Sequence, residues 1–366
     1  MGWLAYRLKP NNQWLAELMS LLNTALFADP ELDELMSDTA HLAAMVRFES
    51  MLAQASAAEG LVPAEAATAI ADALSHARLD MATLASGLAQ DGVVVRALVR
   101  ELRATLSEAY RPYLHYGATS QDVIDTAWML QMAQIVPLLL GRMSRVGGAL
   151  DGLKAQFGSQ QVMAHTRMQA ALPIALDDKI AGWRRAIDEC AAGLTFAADR
   201  ALAVQLGGPV GDRASFEGKG DAIAARLAVA SGLRDVRAWH GNRVALCRMG
   251  AELAGISGVL GKIGADIALM SQSEVVQARI RGGGKSSAME HKNNPIAAEL
   301  LVALARHSAG NLGTLYQALV HENERSGAAW TLEWLTMPTL VRDAGCGLLI
   351  AMDLLQKLDF PPQDIN

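Results

Sequence analysis

Alanine, leucine and methionine fill segment after segment of this chain, and aromatic residues make up only 5% of it. Small and unbranched side chains lose little rotamer freedom in a helix, whereas strands draw on Val, Ile, Thr and aromatics. The expected fold class is therefore all-α. From Asp38, the apolar residues Leu42, Met45, Val46, Met51 and Leu52 recur at helical spacing, and Gly60 stops the run. Pro63 stands where a first-turn proline would open the next helix, PAEAATAIADAL. The pattern breaks around Tyr110 to Gly117.

Beyond that break the helices lengthen. The spacing predicts helices over Ser120–Gln156 (kinked or split at Pro137), Pro173–Leu206, His240 to Ile280, Pro295 to Asn323, and Trp334–Leu358 with Pro338 near its start. This divides the chain into an N-terminal helical domain over 1–112, a central long-helix bundle over 113–358 and a tail over 359–366. Hydrophobic residues make up 51% of the chain. Long helices that are apolar on more than one face imply surface buried against other subunits.

Other classes are disfavoured. The net charge is −6 and no Lys/Arg run occurs, which argues against nucleic acid as a partner. The three cysteines, Cys190, Cys247 and Cys346, lie far apart with no CxxC pair, so neither a disulfide framework nor a zinc site is expected. The N-terminal MGWLAYRLKPNNQW lacks the apolar core of a signal peptide, and Tyr6 sits where a myristoylation signal has Ser or Thr. No stretch reaches the ~18 uncharged apolar residues of a membrane span. A soluble, cytoplasmic protein without membrane or nucleic-acid partners is expected.

Two loops interrupt the helical pattern, Gly207–Gly220 and Arg281–Asn294. Gly284-Lys285-Ser286 is not a P-loop, because Arg279 stands where the first glycine belongs and the context is helical. The glycines, Ser286, Ser287, His291, Lys292, Asn293 and Asn294 before Pro295 suit an anion site at a helix N-terminus, or equally a polar linker with a capped helix. In His115–Asp122, Thr119 and Ser120 are good helix caps; capping leaves His115 unexplained, and alone it reads as a partly buried histidine. In Met163–Ala170, His165 and Arg167 would share a face if the segment is extended, while a solvated loop is the plainer reading. His321–Arg325 matches no zinc spacing and reads as a charged helix end.

Together these clusters resemble the fumarase/aspartase/argininosuccinate lyase superfamily. GATSQD (Gly117–Asp122) with IDTA (Ile124–Ala127), HTRMQAALP (His165–Pro173) and SSAMEHKNNP (Ser286–Pro295) match its three motifs in order. HYGATSQDVIDTAWMLQ, Trp239-His240 with Arg243, and Glu324–Trp334 resemble most the muconate cycloisomerase branch. The resemblance covers nearly the whole chain. It implies an N-terminal helical domain, a long bundle that forms a homotetramer, and active sites assembled from three subunits. The family usually continues into a further helical domain, which is expected to be short or missing after Asn366.

By resemblance, Ser286 is the catalytic acid or base at the substrate carbon. Lys292 and Asn294 hold a substrate carboxylate; Thr119, Ser120, Gln169 and Arg325 are further substrate contacts. His115 aligns with a histidine beside the first motif in adenylosuccinate lyases and is counted as catalytic. His165, Lys285 and Ser287 complete the expected binding set. No metal or organic cofactor is implied.

Four positions depart from the family. Arg167 occupies the usual general-acid histidine, Glu290 replaces a proline, Lys285 a glycine and Asn323 a histidine. Arginine cannot donate a proton near neutral pH, which would harm a lyase that expels an amine or hydroxide. Lactonisation tolerates it: the nucleophile is an ionised carboxylate, which Arg167 can orient bidentately. The expected activity is closure of a carboxylated muconate, a small polycarboxylate that suits a basic pocket. The alternatives are a lyase releasing fumarate from a succinyl compound, with His115 or His165 as acid, and a catalytically silent scaffold.

Overall fold

The computed structural model describes residues 25–285, 289 and 292–363. Five shorter helices come first: α1 (Pro30–Leu35), α2 (Asp38–Ala58), α3 (Ala64–Ser75), α4 (Met81–Asp91) and α5 (Val95–Ala104). Their limits follow from capping chemistry. The Ser37 Oγ accepts the Ala40 N–H at 3.1 Å to open α2, and the Asp80 Oδ1 accepts the Ala82 N–H at 3.0 Å to open α4. Gly92, at φ 71°, ends α4 in a left-handed cap.

The long elements follow: α6 (Ser120–Phe157), α7 (Leu176–Ala201), α8 (Gly220–Ser231), α9 (Val244–Met270), α10 (Ile296–Gln317) and α11 (Gly327–Gln356). α6, α7, α9, α10 and α11 pack side by side as a bundle, and α2 lies across α6 and α8. α9 packs most extensively on α10. A Cβ added at Gly261 would come within 2.4 Å of the Ala305 Cβ, and one at Gly264 within 2.5 Å of the Ala298 oxygen. Only hydrogen side chains allow that approach.

α6, α9 and α11 are long and apolar enough to cross a membrane by length and composition. Their most apolar windows are 67%, 50% and 61% buried within the protein, so these faces are largely occupied by one another. They also bury charge. Arg243, just before α9, donates from Nε to Glu333 Oε1 at 2.8 Å and from Nη1 to Asp125 Oδ2 at 2.7 Å. Trp330 Nε1 donates to Asp125 Oδ1 at 2.9 Å, and the guanidinium lies 4.5 Å from the Trp239 ring centroid. Burial alone would lower the Arg243 pKa; Asp125 and Glu333 outweigh it and raise it. One buried cation therefore joins α6, α9 and α11.

Several expected elements differ. Residues 173–206 do not form one helix. Gln161–Thr166 (β1) and Gln169–Ala175 (β2) form an antiparallel hairpin, with Pro173 opposite Met163 at a register irregularity, and α7 begins at Leu176. A proline fixes φ for a first helical turn and for extended backbone alike, and here buried Val162 anchors the extended form. Pro63 is the N-cap of α3 rather than its first residue. Pro137 and Pro338 lie inside unbroken helices. Each removes one hydrogen bond, and the flanking Val136, Leu139, Met337 and Leu340 are buried in the bundle, whose packing holds the helix. α9 starts four residues after His240, and α11 starts seven before Trp334. Among the described residues, four two-residue strands form two further pairs: β3 (Arg279–Ile280) pairs with β6 (Leu358–Asp359), and β4 (Gly284–Lys285) with β5 (Asn293–Asn294).

Arg243→Met would leave Asp125 and Glu333 buried beside each other without a counter-charge. The expected loss is about 3–5 kcal/mol of unfolding free energy, read from urea denaturation. A loss below about 1 kcal/mol would contradict the assigned role of this cation.

Candidate functional site at the N-terminal end of the long helix

Thr119 caps α6, and its own N–H donates to Asp122 Oδ2 at 3.0 Å. Asp122 is completely buried in the first turn. It also accepts from the Gly207 N–H at 2.8 Å, the Gly208 N–H at 2.9 Å and His240 Nε2 at 2.8 Å. Four donors thus converge on this side chain at the N-terminal end of a 38-residue helix. A carboxylate only accepts, so His240 carries its proton on Nε2. Its buried Nδ1 has no hydrogen-bond partner among the described residues. Gly207 has no room for a side chain: a Cβ there would lie 2.6 Å from His240 Cε1.

The Gly207–Gly220 loop is a clamp on the first motif. Ser215 Oγ donates to the Gly117 oxygen at 2.6 Å, Tyr116 Oη donates to Glu217 Oε1 at 2.7 Å, and the Phe216 ring abuts Gly117. These contacts fix the backbone that presents Thr119 and Ser120. On the other side, Arg325 Nη1 donates to Thr119 Oγ1.

His115 holds a left-handed backbone, φ 63°, and its Nδ1 lies 2.6 Å from Oε1 of the fully buried Glu49 on α2. Burial alone would lower its pKa. The charge and hydrogen bond of Glu49, with Asp122 behind, overcome this and hold the imidazole above its ordinary value. His115 and Ser120 open onto a cavity of about 600 Å³ whose other wall is α5, with Arg96, Arg100 and Arg103.

The remaining expected residues lie elsewhere. His165, Arg167 and Gln169 belong to the hairpin that follows the C-terminal end of α6, and all three are exposed. Arg167 and Met168, at φ 50° and 65°, form its two-residue turn, so Arg167 stands at the tip instead of sharing a strand face with His165. Lys292 precedes β5, and Asn294 pairs with Gly284 rather than capping α10, whose N-cap is Pro295. This loop shares the hairpin's end of the bundle, because Gln277 Nε2 donates to the Met163 oxygen at 3.1 Å. Ser286, Ser287, Glu290 and His291 lie outside the described residues, and Lys285 is described by its backbone alone.

A straight helix of 38 residues is about 57 Å long. His115, Thr119, Ser120 and Arg325 sit at one end of it; His165, Arg167, Gln169, Lys292 and Asn294 sit at the other. Among the described residues of one chain, no hydrogen bond, ion pair or cavity joins the two sets. The Asp122–His240 pair, Glu49 and the α5 arginines were not singled out as site residues from sequence. Asp122 and His240 were visible only as members of the quoted GATSQD and Trp239-His240 stretches.

The family described as Lyase matches residues 25–310 of this chain. The 3-carboxy-cis,cis-muconate cycloisomerase of Acinetobacter baylyi is 32% identical, over 95% of this chain and 79% of that protein. The nitrosuccinate lyase of Streptomyces davaonensis is 34% identical, over 93% and 75%. The crystal structure of 3-carboxy-cis,cis-muconate lactonizing enzyme from Pseudomonas putida superposes with a TM-score of 0.87 at 31% identity, covering 93% of this chain and 77% of that one.

Glu49→Gln would remove the charge that offsets burial at His115. The imidazole titration, followed by ring NMR, should have its midpoint above 6.5 in the parent and below it in the variant. A raised histidine pKa stabilises the fold fully below the unfolded value, and this contribution fades as pH rises through the folded value. The parent's stability lead over the variant should therefore be widest in mild acid and narrow above the parent midpoint. An unmoved midpoint would break the link between Glu49 and His115.

Proposed function

The chain belongs to the lyase family, and from that premise we propose that it is a cycloisomerase closing 3-carboxy-cis,cis-muconate to the carboxymuconolactone, a step of aromatic catabolism. The observation that carries this reading is similarity to cycloisomerases along almost the entire chain, matched by backbone similarity to the lactonizing enzyme.

The arginine at position 167 supports it chemically. In lactonisation a carboxylate oxygen bonds to an alkene carbon of the same molecule. The π pair moves to the neighbouring carbon, where the adjacent carboxylate delocalises it, and a proton then adds to that carbon. The attacking group is already ionised, so no acid is needed for it. Arg167 orients it through paired N–H donors, and Ser286 moves the proton at carbon. Lys292, Asn294, Lys285, Ser287, His165 and Gln169 hold the acidic groups from one side. Thr119, Ser120 and Arg325 hold them from the other, with His115 beside them facing the enolate-like dianion.

These two sets meet only between chains. The active site is therefore shared between subunits of a homotetramer, with the hairpin of one chain reaching the Thr119 end of another. Met168 and Leu172 on the hairpin are 75% and 72% exposed, and Val320 and Leu335 are 70% and 67% exposed on the bundle. Apolar area of this kind marks contact surface.

A second reading is favoured by the nitrosuccinate lyase relative. A nitro group leaves as nitrite, a weakly basic anion that also needs no proton, so an arginine at position 167 is compatible with that elimination as well. The product separates the two: a lactone in one case, fumarate in the other.

The test follows the diene absorbance of 3-carboxy-cis,cis-muconate. Turnover to the lactone is expected. Ser286→Ala should abolish it, and Arg167→Lys should lower kcat/KM roughly tenfold or more through loss of bidentate contact. Fumarate release from nitrosuccinate without lactone formation would transfer the assignment to the second reading.

A further inference from the structure

We infer that the exposed face of α5 is an anion subsite continuous with the Thr119–Ser120 end of the active site, and that it selects substrates carrying an additional carboxylate or sulfonate. The inference rests on the proposed binding of a polyanionic substrate at Thr119 and Ser120.

Arg96, Arg100 and Arg103 are spaced i, i+4, i+7, which places them on one side of α5 over a rise of about 10 Å. Val95 and Val99 line the same cavity, and Leu98 and Leu102 fix the opposite side of the helix in the core. Like charges at i, i+4 destabilise a helix, and the three arginines are incompletely compensated. Asp91 pairs with Arg96 at 3.0 Å. Arg103 Nη2 donates to the Leu114 oxygen at 3.0 Å, while its buried Nε has no partner among the described residues. Arg100 forms no hydrogen bond or ion pair among them. His115 forms the opposite wall, its Nδ1 engaged by Glu49, and Ser120 contributes a hydroxyl at the positive end of α6. The one carboxylate lining the cavity is Asp91. The cavity holds about 600 Å³, enough for a small polycarboxylate in contact with Ser120, the residue next to Thr119. An acidic substituent placed between Arg100 and Arg103 gains charge-assisted hydrogen bonds that a plain dicarboxylate cannot make.

Arg100→Gln and Arg100→Lys test this. Binding of propane-1,2,3-tricarboxylate and of succinate is measured calorimetrically. Turnover of 3-carboxy-cis,cis-muconate is measured against cis,cis-muconate. The Gln variant should weaken tricarboxylate binding, and lower the tricarboxylate-to-dicarboxylate ratio of kcat/KM, by about tenfold, as loss of one charged hydrogen bond implies. The Lys variant should recover part of both. Helical circular dichroism of each variant should match the parent, because Arg100 is exposed. If no muconate is turned over but Arg100→Gln still weakens tricarboxylate binding, the subsite stands and the proposed reaction falls. Unchanged tricarboxylate affinity and an unchanged selectivity ratio in Arg100→Gln overturn the subsite, whatever the reaction.

Discussion

The length of α6 governs everything built on it. Thirty-eight residues without a break hold the first motif and the hairpin at opposite ends of a rigid rod. No loop movement on the scale of a few residues closes such a gap, since a fully extended chain spans at most ~3.6 Å per residue. The residues that resemble a single active site therefore cannot meet within one chain. On the proposed assembly, the tip of one copy would approach the base of another. Exposed apolar side chains are present on both, at Met168 and Leu172 of the hairpin and at Leu335 of α11.

A rod of this kind must also be held in register, and apolar packing alone specifies register weakly. Buried charges supply the specificity. Arg142 in the middle of α6 donates from Nη2 to Asp29 at 2.7 Å and from Nη1 to the Gly345 oxygen of α11 at 3.3 Å. Arg243 binds Asp125 and Glu333, and Asp122 collects donors from the 207–208 turn and from His240. Sliding α6, α9 or α11 by one turn would strand a charge in the core, at a penalty larger than several methylene contacts. Asp122 and Asp125 lie within two turns of Thr119, so the same interactions that fix the register also fix the rim of the candidate site.

Much of this was legible in the sequence. α2 begins at Asp38 as its spacing predicts, with Ser37 as its cap. Pro338 lies inside a helix as its spacing predicts, and Pro137 does not split α6. Buried neighbours carry both, and burial is a property of the folded bundle that no local pattern displays. Pro173 belongs to a strand because two consecutive residues at its turn, Arg167 and Met168, adopt positive φ. Neither is a glycine or asparagine, so the usual sign of a tight hairpin is missing. The α5 arginines were passed over because charge on an exposed helix face is ordinary; only the cavity shared with His115 and Ser120 gives them meaning.

The strained turn and the lost histidine belong to one argument. Two non-glycine residues at positive φ cost roughly 1–3 kcal/mol each. In return the turn projects a guanidinium from the tip of a hairpin whose last strand pair is Thr166 and Gln169. A guanidinium brings a permanent charge and a planar pair of donors, and it gives up the ability to shuttle a proton. Chemistry in which a basic leaving group departs has no use for that exchange. Chemistry in which the moving group is already an anion, a carboxylate adding to a double bond or a weakly basic anion leaving, gains orientation and forfeits nothing. On the proposed reaction, the residue at position 167 would thus sort reactions by the basicity of the group that moves, independently of what binds the rest of the substrate. On the same proposal, substrate identity would be left to the opposite end of the bundle, where the charge lining the cavity beside Ser120 is mostly arginine.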